Sequence, residues 1–279
     1  MMSLSVERNA MVSSHYVQPL AWPALRSLSE YNMNHFTLDI QQGIAIIHFN
    51  MSNKTANVFN RSSITELRQV LKKVHQDDEI TGLIIVSGKQ DFCLGADVGY
   101  LFRLLDQKPE PEALFHTLWP ISELFQSINQ IKPSVSIIQG QCLGGGFELA
   151  LATQYRIGLK NTKLSMALPE VTLGILPGLG GTQRLPRLIG LEPALGLLLK
   201  GRRIDEQEAL SIGALDALAT SQDHAIKQAI HWIQSGEKPR EAHVIDPYKS
   251  PHMLQLSAAS ALTKKKSMGC YPNVAYLLQ

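Results

Sequence analysis

The sequence predicts an α/β fold built around one main core. Two short β-branched runs, GLIIVSG at 82–88 and SVSIIQG at 134–140, end in glycine and read as buried strands. Helical patterns alternate with them, amphipathic from Ser62 to His75 and apolar in FELALA at 147–152. A chain of 279 residues with 44% hydrophobic content suffices for one substantial core with a helical appendage.

Taken in order, residues 1–33 show no clear periodicity, and they lack the apolar run of a secretory signal. A poorly ordered extension is expected there. Glu7 and Glu30 also argue against a transit peptide. HFTLDIQQGIAIIHFN, 35–50, reads as a hairpin turning at Gln42-Gly43. The loop MSNKTANVFN leads into the helix from Ser62. After the strand at 82–88 comes KQDFCLGADVGYL, and segments that follow a core strand favour ligand contacts in α/β folds. Asp97 is placed to cap the helix that begins there. Residues 101–131 read as helical with a break at Lys108–Pro111, and His116 and Trp119 within them are given no catalytic role. GGTQRLPRLIG, 180–190, is expected to begin a helix that continues past Pro193 into ALGLLLKGRRI. Another helix starts at Asp205 and ends at Gly213.

Chemistry concentrates between Gly140 and Arg187. Gly144, Gly145 and Gly146 precede FELALA, so they stand at a helix start. The first amides of a helix lack intrahelical partners, and the helix dipole favours negative charge there. Close packing of helix on strand explains the glycines equally well when they are taken alone. Glu148 falls in the first helical turn among Phe147, Leu149, Ala150 and Leu151, and Glu170 interrupts the apolar run ALPEVTLGILPG. Each alone suits a structural role, in complementing a dipole or closing a loop. Two carboxyls beside an anion-favouring glycine turn point instead to acid/base work, since burial raises their pKa toward neutrality. No Gly-Lys-Ser/Thr follows the glycines, and GLGGTQ fails the G-x-G-x-x-G spacing, so nucleotide-phosphate binding finds no support.

GGGFELALA, LPEVTLGILPGLGGTQRLPRLIG and FCLGAD together resemble the crotonase (enoyl-CoA hydratase) superfamily over roughly residues 35 to 235. The likeness is strongest to the amino-terminal hydratase/isomerase domain of multifunctional fatty-acid oxidation alpha subunits. It implies a spiral of repeated ββα units with a C-terminal helical region: a core at 34–235, including a short strand within ALDALA at 214–219, then a helical or linker segment at 236–279. It implies oxyanion donors at the Ala96 and Gly145 amides, and a water gripped between Glu148 and Glu170, either of which can be the base. Lys54, Ala56 and Val58 would hold the adenine end of coenzyme A. Leu94 and Val98 would line the acyl pocket, with Asp97 and Gly144 completing the substrate contacts. The implied reaction is hydration of 2-enoyl-CoA to 3-hydroxyacyl-CoA in fatty-acid β-oxidation. Δ3-Δ2-enoyl-CoA isomerisation is the alternative, and a non-catalytic subunit is the alternative of another class. Coenzyme A enters as part of the substrate, and neither a metal nor a further cofactor is expected. A homotrimer or dimer of trimers is implied, with a thiolase subunit as partner if the chain belongs to a multifunctional complex.

The sequence departs from this pattern twice. Gln154 stands where the family has aspartate. Glu148 and Glu170 are 22 positions apart, about two more than the family spacing, and the extra length is expected in the turn Lys160–Lys163. No nucleotide fingerprint follows the resemblance, so the chain either stops before a second domain or consists of the first alone.

A net charge of +2 gives no nucleic-acid surface. No apolar run reaches the ~20 residues of a membrane span. Cys93, Cys142 and Cys270 form an odd set without metal-ligand spacing and are expected as reduced thiols in a cytoplasmic protein, the mitochondrial matrix being the alternative location.

Overall fold

The computed structural model describes residues 33–267 except 247 and 250. The expected extension, apart from Met33, and the tail with Cys270 lie outside these residues. The hairpin forms as expected: β1 (Phe36–Gln41) and β2 (Ile44–Phe49) pair antiparallel through Gln42-Gly43, and both turn residues have positive φ. Helix α1 (Arg61–Gln76) starts at Asn60, whose side chain accepts from the Ser63 amide. Its buried Leu67, Val70, Leu71 and Val74 follow the i, i+3, i+4, i+7 rule.

Strand β3 (Gly82–Ser87) is buried throughout. Then come α2 (Val98–Asp106), α3 (Pro111–Ile131), β4 (Ser134–Ile138), β5 (Gln141–Leu143), α4 (Gly145–Ala152), β6 (Tyr155–Leu159) and β7 (Ser165–Ala167). A 3-10 turn (Pro169–Leu173) leads to α5 (Gly181–Ile189), α6 (Leu191–Leu198), α7 (Glu206–Ser211), β8 (Ala217–Ala219), α8 (Gln222–Ser235) and α9 (His252–Ser267). The main sheet has the order β1-β2-β3-β4-β6-β8, parallel from β2 onward. Parallel strands covered on both faces read as continuous apolar runs, which is why GLIIVS and SVSII were legible. Ala225, Ala229, Ile230 and Ile233 of α8 join Ile46, Ile84, Ile137 and Ile157 of the sheet in one buried cluster. Full burial of each such large aliphatic side chain contributes about 1.5–3 kcal/mol.

A second layer positions the glycines. Strands β5 and β7 form a separate parallel pair, and single bridges join Cys93 to Cys142 and Phe59 to Ala96. The three segments FCLGAD, QCLGGG and SMALPE are thereby tied side by side.

The helix expected to run from 180 past Pro193 is instead two helices broken at Gly190. A proline at 193 has no N–H for the carbonyl of Ile189, and its ring would clash with that carbonyl in a continuous helix. In the first turn of α6 neither penalty arises. The chain also leaves the helix after Leu198, and Ile204 then pairs with Met166.

The turn between β6 and β7 holds Lys160–Lys163. Asn161 and Lys163 have positive φ there. The Thr162 hydroxyl donates to the Leu159 carbonyl at 2.8 Å and accepts from the Gly140 amide at 3.2 Å. Gln154 ties β6 to β4, its Oε1 accepting from the Ser134 amide and its own amide donating to the Ser134 hydroxyl, both at 3.2 Å. Among the described residues no helix is long and apolar enough to cross a membrane.

Candidate active site

Gly144 is the N-cap of α4, at φ +52 and ψ −126. L side chains rarely adopt such a backbone, and a Cβ at residue 144 would fall 2.8 Å from Oε1 of Glu170. The Gly144 amide donates to the Ala167 carbonyl at 2.9 Å, which sets the angle at which α4 begins. Gly145 is the first helical residue, so its amide has no intrahelical acceptor. In the facing loop, Phe59 donates to the Gly95 carbonyl (2.7 Å), and the Asp97 amide donates to the Phe59 carbonyl (2.8 Å). Extended backbone alternates its polar groups, so the Ala96 N–H points away from Phe59. Neither the Ala96 nor the Gly145 amide has a protein acceptor among the described residues. The loops touch: a Cβ at Gly95 would lie 2.8 Å from the Leu143 carbonyl oxygen and 3.1 Å from the Gly145 nitrogen. Ala96 is exposed and Gly145 is buried.

Both glutamates are buried, Glu148 at 2% exposure and Glu170 at 8%. Glu148 Oε1 accepts from the Leu179 amide (2.7 Å) and the Gly181 amide (2.8 Å). Burial pushes this carboxyl up to about 6, against the pull of those amides and of the Arg184 charge. Glu170 goes up to about 8, first through burial and then through the negative charge of Glu148. Its Oε2 has no hydrogen-bond partner among the described residues. Two carboxyls whose values straddle neutrality suit one base and one acid.

The remaining expected residues fall in the loop that carries Ala96 and in the loop before α1. Asp97 caps α2, its Oδ1 accepting from the Tyr100 amide at 3.0 Å, and its Oδ2 meets Lys54 Nζ at 3.3 Å. Leu94 is half-buried and Val98 is 50% exposed. Ala56 and Val58 are half-buried in the loop before α1. Thus Ala96, Gly144, Gly145, Glu148 and Glu170 come together, and the Lys54 loop joins them through Asp97. His116 and Trp119 lie on α3, where Trp119 stacks on Phe115 at 5.3 Å.

Three features were not read from the sequence. Fully buried Asn57 donates to the carbonyls of Phe49 and Phe92 and to the Ser87 hydroxyl, and accepts from the Met51 amide. It fixes the loop that carries Lys54, Ala56 and Val58. The amides of Leu179 and Gly181 hold Glu148, and the Arg184 side chain donates to the Leu179 carbonyl. Backbone donors leave no mark on residue type. A lone polar residue between Ala56 and Val58 was the only signal for Asn57.

Residues 39–262 match the family model described as enoyl-CoA hydratase/isomerase. Over 260 residues the chain is 34% identical to the fatty acid oxidation complex subunit alpha of Vibrio vulnificus, covering 90% of this chain and 36% of that one. Over 252 residues it is 30% identical to the subunit of the same name from Idiomarina loihiensis, covering 88% and 35%. The chain therefore spans about a third of the length of the curated relatives it matches. The crystal structure of enoyl-CoA hydratase from Bacillus anthracis is similar at a TM-score of 0.64 and 26% identity, covering 88% of this chain and 89% of that one.

Proposed function

The chain belongs to the enoyl-CoA hydratase/isomerase family, and we propose that it is an enoyl-CoA hydratase, adding water to 2-enoyl-CoA thioesters to give 3-hydroxyacyl-CoA in fatty-acid β-oxidation. The supporting observation is the pair of buried glutamates flanking Gly144, next to two free amides.

The thioester oxygen sits between the amides of Ala96 and Gly145. Water attacks Cβ, the electrons of the double bond move through Cα to that oxygen, and the amides hold the enolate. Loss of one such donor costs about 10²–10³ in kcat. Glu148 takes the water proton on Oε2, because its Oε1 is committed to Leu179 and Gly181. Glu170, the weaker acid, carries the proton delivered to Cα. One water is added, and the shared proton then returns to Glu170. The pair titrates as a unit. The reaction needs an acid, a base and an oxyanion donor pair, and coenzyme A arrives as part of the substrate.

The backbone around Lys54, Ala56 and Val58 takes the adenine end, and Leu94 and Val98 border the acyl chain. A homotrimer or dimer of trimers is part of the proposal, as is a thiolase partner within a larger complex. Isomerisation of 3-enoyl-CoA is the second reading. It needs one carboxylate that shuttles a proton, and Glu148, held at Oε1 alone, can serve.

Loss of the conjugated-enoyl absorbance of crotonyl-CoA and longer 2-enoyl-CoAs tests the proposal. Wild type is expected to turn over, and Glu148→Gln and Glu170→Gln each to lose about 10²–10⁴-fold. A folded wild type that binds acyl-CoA without hydrating it refutes the hydratase. Isomerase activity that survives Glu170→Gln and fails in Glu148→Gln supports the second reading.

A further inference from the structure

We propose that Arg184 is a positioning residue for Glu148, holding the turn whose amides grip Oε1. The inference rests on the reading of Glu148 as proton carrier.

Arg184 lies one turn into α5 and is half-buried. Its Nη1 donates to the Leu179 carbonyl at 2.5 Å, and its backbone amide donates to the Gly180 carbonyl at 2.8 Å. Leu179 and Gly181, on either side of Gly180, are the residues whose amides reach Glu148. One side chain thus fixes the carbonyl of the same short turn whose amides fix the carboxylate. The guanidinium lies directly over Gly180, where a Cβ would fall 2.8 Å from Cζ. Gly180 sits at φ +103, a backbone that L side chains rarely adopt, and the guanidinium fills the space where a Cβ would stand, which gives the first half of Gly180-Gly181 a purpose that its spacing did not reveal.

The charge acts as well as the geometry. Among the described residues no carboxylate oxygen lies within 4.0 Å of Arg184, so its charge is not neutralised by an adjacent ion pair. It attracts the Glu148 carboxylate through the turn and opposes the effect of burial there. The ionisable groups facing Glu148 are Arg184 from α5 and Glu170 from the 3-10 turn. Among the described residues no charged group of α3 acts on it, and Cys142 of β5 is pushed up by burial and remains a thiol.

The sign follows directly. Without the Arg184 charge, Glu148 holds its proton to higher pH, so the limb on which kcat/KM rises with pH moves upward. Arg184→Gln keeps a neutral donor for Leu179 and loses the charge. Its limb is expected to rise by about half a unit or more, roughly a threefold loss of rate below the limb. Arg184→Lys keeps the charge and loses the fork; it is expected to leave the limb in place and lower kcat roughly tenfold at unchanged KM. Carbon-13 NMR of protein labelled at the glutamate carboxyls, with Glu148 identified by its absence in Glu148→Gln, follows the same titration without substrate.

A folded Arg184→Gln whose Glu148 titrates as in wild type overturns the proposal. So does an Arg184→Lys enzyme with wild-type kcat, which carries the test if Arg184→Gln does not fold. If wild type hydrates nothing, the hydratase reading fails. In that case the NMR titration alone decides for Arg184: an upward shift in Arg184→Gln sustains its role, and an unmoved titration ends it.

Discussion

Glu170→Gln removes a carboxyl that the fold buries to 8% exposure with Oε2 unpartnered, and it is expected to stabilise the protein while lowering turnover about 10²–10⁴-fold. The folded chain holds this proton up to about 8, against an ordinary value of 4.5. A raised folded value means that protonation favours the fold. That contribution is complete below 4.5 and is lost as pH rises through 8. Relative to a side chain that never ionises, Glu170 lowers stability by about 1 kcal/mol at pH 5 and about 3 kcal/mol at pH 7. Glutamine brings an amide with no ready acceptor, a pH-independent cost of about 1–2 kcal/mol. The variant is therefore close to wild type at pH 5 and more stable at pH 7, the difference widening by about 2 kcal/mol. Urea unfolding at each pH measures it, with the fluorescence of buried Trp232, stacked on Tyr155 at 4.8 Å, as one reporter. A difference that stays flat with pH, or that falls as pH rises, refutes the reasoning. Function held against stability is the ordinary trade in an active site.

Gly144→Ala places a methyl 2.8 Å from Glu170 Oε1 on a backbone at φ +52. A loss of about 1–3 kcal/mol is expected in thermal or denaturant unfolding, with hydration falling at least about a hundredfold as Glu170 is displaced. Asn57→Ala removes four hydrogen bonds that tie the Lys54 loop to the strand ends. About 2–4 kcal/mol of stability should be lost, and steady-state kinetics should show KM for acyl-CoA rising more than kcat falls.

Strands β2, β3 and β4 were legible because each is a largely apolar, β-branched run, and α1 because Leu67, Leu71 and Val74 keep helical spacing, whereas β6 was not read and β8 came only from the resemblance. The hairpin was legible because Gln42-Gly43 separates the alternating FTLDI from the apolar IAII. Glu148 and Glu170 stood out as single charges in apolar stretches, and both prove buried. Strands β5 and β7 were not read, since three residues are too few to show a period and their pairing is nonlocal. The break between α5 and α6 was missed because the apolar pattern runs through Gly190, and the backbone constraint at Pro193 prevailed over it. The grip of Leu179 and Gly181 on Glu148 is made by main-chain amides, which any residue but proline supplies.

The pH dependence of kcat/KM for crotonyl-CoA hydration tests the glutamate pair most directly. With one carboxyl at about 6 and the other at about 8, the rate should follow a bell whose limbs lie near those values. The acid limb should vanish with the activity in Glu148→Gln. A wild-type profile that is level between roughly pH 5 and pH 9 contradicts a proton shared between two buried glutamates.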